Sequence, residues 1–390
     1  MEHPEEQTPK ISARLWLEEP FRVFFPLGIV AAVFGLLLWP LHYAGYWEIY
    51  PAIQHPRILI LGFGAAFVMG FLGTAWPRFV EAPPLRLVEL VILIVFWFSG
   101  QVCYSTSRIA LGDGIMAGTF ICFMVMLGYR VIGEKRDRPP AALVAPFINL
   151  AVVSAVLLCW AYGVKSQSPA FQALFRLQVY QGFLLLPMLG VGSFFFPKFF
   201  DTAPIGTPKS RARVLSLVVP LIFGSFILEA CGWIRLGNAL RLGAVCYWAY
   251  RLLPMIWKGK APGTRSWALR LALIMIATGF FCRIIWPYQL FAFEHLLFLG
   301  GFSQIMLLVA DRVVVGHSEG HETTPARSLR WRWIVWIMVL TAATRATADL
   351  VPSTRVSHHI YAAVMLVVIL ILWWIENGGR LRRGEDDSGS

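Results

Sequence analysis

Glu294 and His295 stand side by side near the start of a long apolar run that breaks at Gly316, with His317 just beyond. An acid and an imidazole inside such a run are expensive to bury, so by default they mark a functional site. A neutral imidazole is also the commonest side-chain metal ligand. The chain has eight histidines. Arg57, Arg176, Arg283, Arg345 and Arg355 also lie in or beside apolar runs. Each can snorkel to lipid headgroups, or clamp an anion through its planar guanidinium fork.

The elements that carry these residues follow from composition. Of 390 residues, 57% are hydrophobic and 14% charged, with a mean hydropathy of +0.64. A soluble chain carries about 25% charged residues. Apolar runs of roughly 20 residues, the length that spans a bilayer core as helix, recur along the whole chain. The expected fold is an all-α polytopic membrane protein of about twelve transmembrane helices, at roughly 23–44, 57–76, 86–106, 114–132, 142–163, 172–196, 214–233, 237–257, 266–286, 290–314, 332–350 and 357–376. No long loop interrupts them, so residues 23–377 form one membrane domain between short tails at 1–22 and 378–390. The polar, acidic start contains no cleavable signal peptide. The six cysteines fall inside apolar runs without CxxC spacing and read as small buried residues. The net charge of +12 reflects basic loops beside a lipid bilayer, and nucleic acid is set aside as a partner.

Lys and Arg gather in alternate loops. Lys10, Arg14 and Arg22 precede the first span, and Arg78 and Arg86 follow the second. Lys135, Arg136 and Arg138 follow the fourth, Lys209, Arg211 and Arg213 the sixth, and Lys258, Lys260 and Arg265 the eighth. Arg327 and Arg330 follow the tenth, and Arg380, Arg382 and Arg383 close the chain. This bias places both termini in the cytoplasm. His42, His55, His295, His358 and His359 then share the outer layer, although they come from four different spans. His295 lies roughly 7–8 Å inside the outer end of its span at 1.5 Å per residue. His317 and His321 fall at the cytoplasmic end and His3 in the tail.

Several segments resemble one family. PFRVFFPLG (Pro20–Gly28) is similar to the PFRxFF signature of NnrS proteins, bacterial membrane proteins described as binding haem and copper and linked to nitric-oxide stress. The segment from His55 to Leu85 resembles the family's HxHExLFGF…PPL stretch. FFFPKFF (Phe194–Phe200) resembles its stretch after the sixth span, and His295–Gly320 its HALTVG…LGHTGR segment. The likeness runs in order along nearly the whole chain and marks a divergent member. It implies a haem held by His55 and His295, which without a CxxCH attachment is b-type. The shared side of the bilayer adds the expectation that Arg57, with at least one of Arg283, Arg345 and Arg355, faces the same cavity and binds the propionates or another anion. The resemblance also implies copper and a small gaseous or anionic ligand, a role in nitric-oxide or nitrosative stress, and the bacterial inner membrane. The pattern is departed from at two places. Arg57 and Ile58 replace the second histidine and the acid of HxHE, and Glu319 and Gly320 replace the last two residues of GHTGR. The first departure weakens the copper expectation. In coarse outline the chain is also similar to the catalytic subunit of haem–copper oxidases, with twelve spans and histidines on spans 2 and 10. Spans 6 and 7, where that subunit holds its copper ligands, contain no histidine.

The remaining features have plainer readings. Glu229 sits mid-span as a protonated structural acid or part of a proton path. Gly62, Gly64, Gly70, Gly73, Gly300 and Gly301 permit close helix approach and would also leave room for a macrocycle. His317 caps the last carbonyls of its helix, with metal ligation as the second reading. Either haem histidine alone could be a packing residue. No phosphate loop, CxxCH attachment or nucleophile elbow is present. Two functions remain: a haem-binding membrane protein handling nitric oxide, and a twelve-span transporter of a small solute.

Overall fold

Hydrocarbon offers no partner to an open N–H or C=O, so each apolar run must close its hydrogen bonds within itself as helix. The computed structural model describes residues 13–133, 143–163, 167–258, 261–318 and 328–382. Lys10, Lys135, Arg136, Arg138, Lys260, Arg327 and Arg383 of the charge pattern, and His3 and His321, lie outside those residues, as do Glu319 and Gly320. The main helices are α1 (Phe21–Tyr43), α2 (Gln54–Phe79), α3 (Leu87–Ser105), α4 (Ile109–Gly133), α5 (Val144–Ala161) and α6 (Pro169–Phe200). They continue as α7 (Pro208–Ala230), α8 (Ile234–Leu252), α9 (Thr264–Ile285), α10 (Leu290–Gly316), α11 (Leu329–Leu350) and α12 (Pro352–Asn377). No strand occurs among the described residues.

Eleven of these helices are long and apolar enough to cross a membrane. The exception is α8, which has the length but carries Arg235, Arg241 and Arg251. It nevertheless packs between α7 and α9, with Arg241 fully buried against Glu229 of α7. Charge pairing at Arg241 joins the burial of Ala244, Val245, Trp248 and Leu252 in seating that helix. Starts are set by local chemistry elsewhere in the chain. Thr207 Oγ1 accepts from the Ser210 N–H at 3.2 Å and Pro208 opens the first turn of α7. Ser168 and Pro169 do the same for α6.

Neighbours in sequence are mostly neighbours in space, and α12 returns to pack on α1. Three helices lie inside the others. In α2, α6 and α10, 78%, 83% and 72% of the apolar stretch is buried, against at most 61% in any other. Each of the three contains a π-helical segment: Ile58–Gly64, Arg176–Gly182 and Leu296–Ser303. Such widened turns are rare, and they concentrate at functional sites. Here they recur at every fourth helix.

The glycines of α10 serve close packing. A methyl group at Gly300 would lie 2.6 Å from Met275 Cε, and one at Gly301 would run into Ile276. Both therefore seat α10 against α9, and Gly62 likewise faces Gln101 and Ala31 on α3 and α1. One end of the bundle is tied by Arg22. Its Nη1 donates to the carbonyls of Arg380 (3.1 Å) and Leu381 (2.9 Å), its Nη2 to that of His317 (3.0 Å), and its Nε to Glu19 (2.5 Å). The start of α1, the segment after α12 and the end of α10 therefore meet at this tail end. The opposite end gathers the other histidines. All six cysteines are free thiols.

Candidate functional site at the histidine end

Each inner helix contributes polar residues at the edge of its π-helical segment. They are His55 and Arg57 from α2, Arg176 and Tyr180 from α6, and Glu294 and His295 from α10. His55 donates its Nδ1–H to the Gly35 carbonyl at 2.9 Å, and His295 donates to the Phe291 carbonyl at 2.6 Å. A carbonyl can only accept, so both rings are the tautomer whose Nε2 carries a free lone pair. Both rings are half-buried and lie within electrostatic reach of each other, and the region they share is the histidine chamber.

A third imidazole joins them. His359 of α12 lies in a hydrogen bond of 2.8 Å between its Nδ1 and the Tyr43 hydroxyl, while its Nε2 is buried without a partner. The Trp39 ring stands edge-on to His359 at 4.8 Å and to His55 at 6.2 Å. His295 is within electrostatic reach of His55, His359 and Arg345. Residues from α1, α2, α10, α11 and α12 thus meet around one space. The other two histidines of this end are engaged locally, His42 by the Trp47 carbonyl and His358 by the Thr347 hydroxyl.

The arginines divide into two groups. Arg57 is 3% exposed and is taken by Asp113 of α4: Nε donates to Oδ1 and Nη2 to Oδ2, both at 2.9 Å. Tyr104 donates to the same carboxylate at 2.9 Å, and Arg57 Nη1 donates to the Tyr180 hydroxyl at 3.2 Å. Arg283 donates through Nη2 to Glu229 at 2.9 Å. Arg345 donates through Nη1 to Asp349 at 2.6 Å yet stays within reach of all three chamber imidazoles. Arg355 is exposed at the mouth beside His359. Glu229, which has no evident partner in the sequence, is met by Arg176, Arg241 and Arg283 together. Glu294 is paired with Arg176.

His317 stands apart at the tail end. Its Nδ1–H donates to the Val313 carbonyl at 2.7 Å, and its Nε2 accepts from Arg78. Burial holds this imidazole below its ordinary pKa despite the pull of Glu19, so it is neutral at pH 7. As placed it caps α10, and its lone pair is committed to Arg78.

Sequence reasoning did not pick out Asp113, Tyr43, Trp39 or Arg241. Asp113 carried a signal, the one acid within its helix of membrane length, and Arg241 is the middle of three arginines on α8. Below the histidine layer the three inner helices, with Phe25 of α1, line a half-open apolar cavity of about 80 Å³ whose walls include Phe67, Phe71, Met188, Met306 and Val309.

Comparison with known families gives a match to the family described as NnrS protein over residues 15–383. No curated protein matches the chain.

Proposed function

The chain belongs to the NnrS family, and on that premise we propose that it binds one b-type haem between His55 and His295 and acts in the response to, or metabolism of, nitric oxide. The observation that carries this reading is the shared tautomer. Two imidazoles each have the Nδ1–H tied to a backbone carbonyl and the Nε2 free, which is the state an iron ligand would need. The buried, unpartnered Nε2 of His359 is a further sign that the chamber is built for a polar guest. Bound there, a haem supplies a one-electron redox iron able to react with nitric oxide.

This chain's own residues do the rest. Gly35 and Phe291 orient the two rings, Trp39 packs beside His55 and His359, and Arg345 and Arg355 would hold the propionates. Arg57 and Arg283 are engaged by buried carboxylates instead. Among the described residues no three His, Cys, Asp or Glu side chains converge as a separate metal site, and Arg57 occupies the family's second histidine position. Copper is therefore the weaker carry-over, and the proposal is made for haem.

Purified protein is expected to show a low-spin b-type spectrum, oxidised and reduced, with one haem per chain by metal analysis. Preparations that carry no haem, and are stabilised instead by a small solute, would overturn the reading in favour of a carrier. Loop charge further supports a bacterial inner-membrane protein with both termini cytoplasmic. Reporter fusions at Lys135 and Lys165 are expected to report opposite sides of the membrane. The same side for both would remove that topology.

A further inference from the structure

Beside the histidine chamber, three guanidinium groups and two carboxylates from five helices meet inside the bundle: Arg176 (α6), Glu229 (α7), Arg241 (α8), Arg283 (α9) and Glu294 (α10). With both acids ionised, three positive charges face two negative ones. One positive charge is left over in a region where unpaired charge is costly.

The donors show where the excess lies. Arg241 is fully engaged. Its Nε donates to Ser225 Oγ at 3.0 Å, its Nη1 to Gln181 Oε1 at 2.7 Å and its Nη2 to Glu229 Oε2 at 3.1 Å, with the Phe226 ring 4.6 Å away. Asn238 adds a bond of 3.0 Å to the same carboxylate oxygen. Arg176 spans Glu294 and Glu229. Arg283 is 3% exposed and spends Nη2 on Glu229, while its Nη1 is buried with no acceptor. A surplus charge and an orphaned donor thus coincide on one side chain.

We propose that this cluster binds one small monovalent oxyanion, of nitrite or carboxylate type, at Arg283 Nη1. Such an ion cancels the surplus charge and supplies the missing acceptor at once, and a guanidinium fork suits a planar oxyanion. Entry is by way of Arg176. Its side chain is 19% exposed, against 0% for Arg241 and 4% for Arg283, and it closes on Glu294, the neighbour of His295. The site uses neither chamber histidine and stands whether or not haem binds.

The test is calorimetric titration of the full chain in neutral-lipid nanodiscs with sodium nitrite and sodium formate, against a bulky sulfonate salt at equal ionic strength. Saturable binding at one site per chain is expected for both small anions. Arg283→Gln should weaken it by about ten-fold or more, the weight of one charge-assisted hydrogen bond. That variant leaves two arginines against two carboxylates, a balanced cluster, and so is expected to fold. Glu294→Gln leaves a larger surplus and should tighten binding. The proposal is overturned if the wild type shows no saturable binding, or if affinity is unchanged in Arg283→Gln. Should that variant fail to fold, unchanged affinity in Glu294→Gln overturns it equally.

Discussion

Alanine at position 295 is expected to abolish the low-spin haem spectrum of the purified protein while leaving its helical content intact. His295 contributes the one free Nε2 on α10, held in its tautomer by the Phe291 carbonyl at 2.6 Å. Orienting partners of metal-bound histidines alone are worth about 10–100-fold in affinity, so losing the ring itself should exceed that. His55→Ala should behave in the same way, since the Gly35 carbonyl fixes its ring at 2.9 Å. Replacing His317 should leave the spectrum unchanged, because its lone pair already accepts from Arg78 at the tail end. Absorbance of the three variants decides the matter. A normal spectrum in His295→Ala, with loss in the His317 variant, would move the ligands to the other end of the bundle.

The second large effect concerns Asp113. Asp113→Ala leaves the Arg57 guanidinium buried, with only the Tyr180 hydroxyl and the Phe175 and Trp160 rings around it. Stranding a buried charge by removing its partner costs about 3–5 kcal/mol. The expected result is a large fall in unfolding midpoint in detergent. The double variant Arg57→Met with Asp113→Leu should recover most of it, because a buried ion pair exchanges for apolar side chains at little net cost. A loss below about 1 kcal/mol for Asp113→Ala, the scale of an exposed pair, would show that water reaches the site.

Much of this was legible in the chain. Apolar runs of bilayer length forecast the helices to within a few residues, because in hydrocarbon only a self-satisfied backbone is allowed. The shared depth of His55, His295 and His359 pointed to one end of the bundle. What the sequence could not show was who meets whom. Arg57 and Asp113 are 56 positions apart, Arg176 and Glu294 118, and Tyr43 and His359 316. No local pattern encodes a partner on another helix. Nor did ILILGFG at Ile58–Gly64 announce a widened turn: the same letters serve an α-helix equally well, and packing decides between them. The close-approach reading of Gly300 and Gly301 was available because small residues at a helix contact mean the same thing at any depth.

The widened turns separate two halves of each inner helix. On the histidine side lie the imidazoles and the buried ion pairs, and on the tail side lies the apolar cavity. A π-helical turn takes up one residue more than an α turn, and one residue corresponds to about 100° around the helix axis. Deleting a single residue within Leu296–Ser303 would therefore restore regular winding and rotate Glu294 and His295 by that angle relative to Met306 and Val309. The lower half need not repack. Each inner helix is in effect a jointed shaft whose upper part can be re-aimed by gaining or losing one residue. Single-residue length changes at these three joints, more than substitutions, are the mutational steps by which such a bundle could be given a different arrangement of imidazoles and charges.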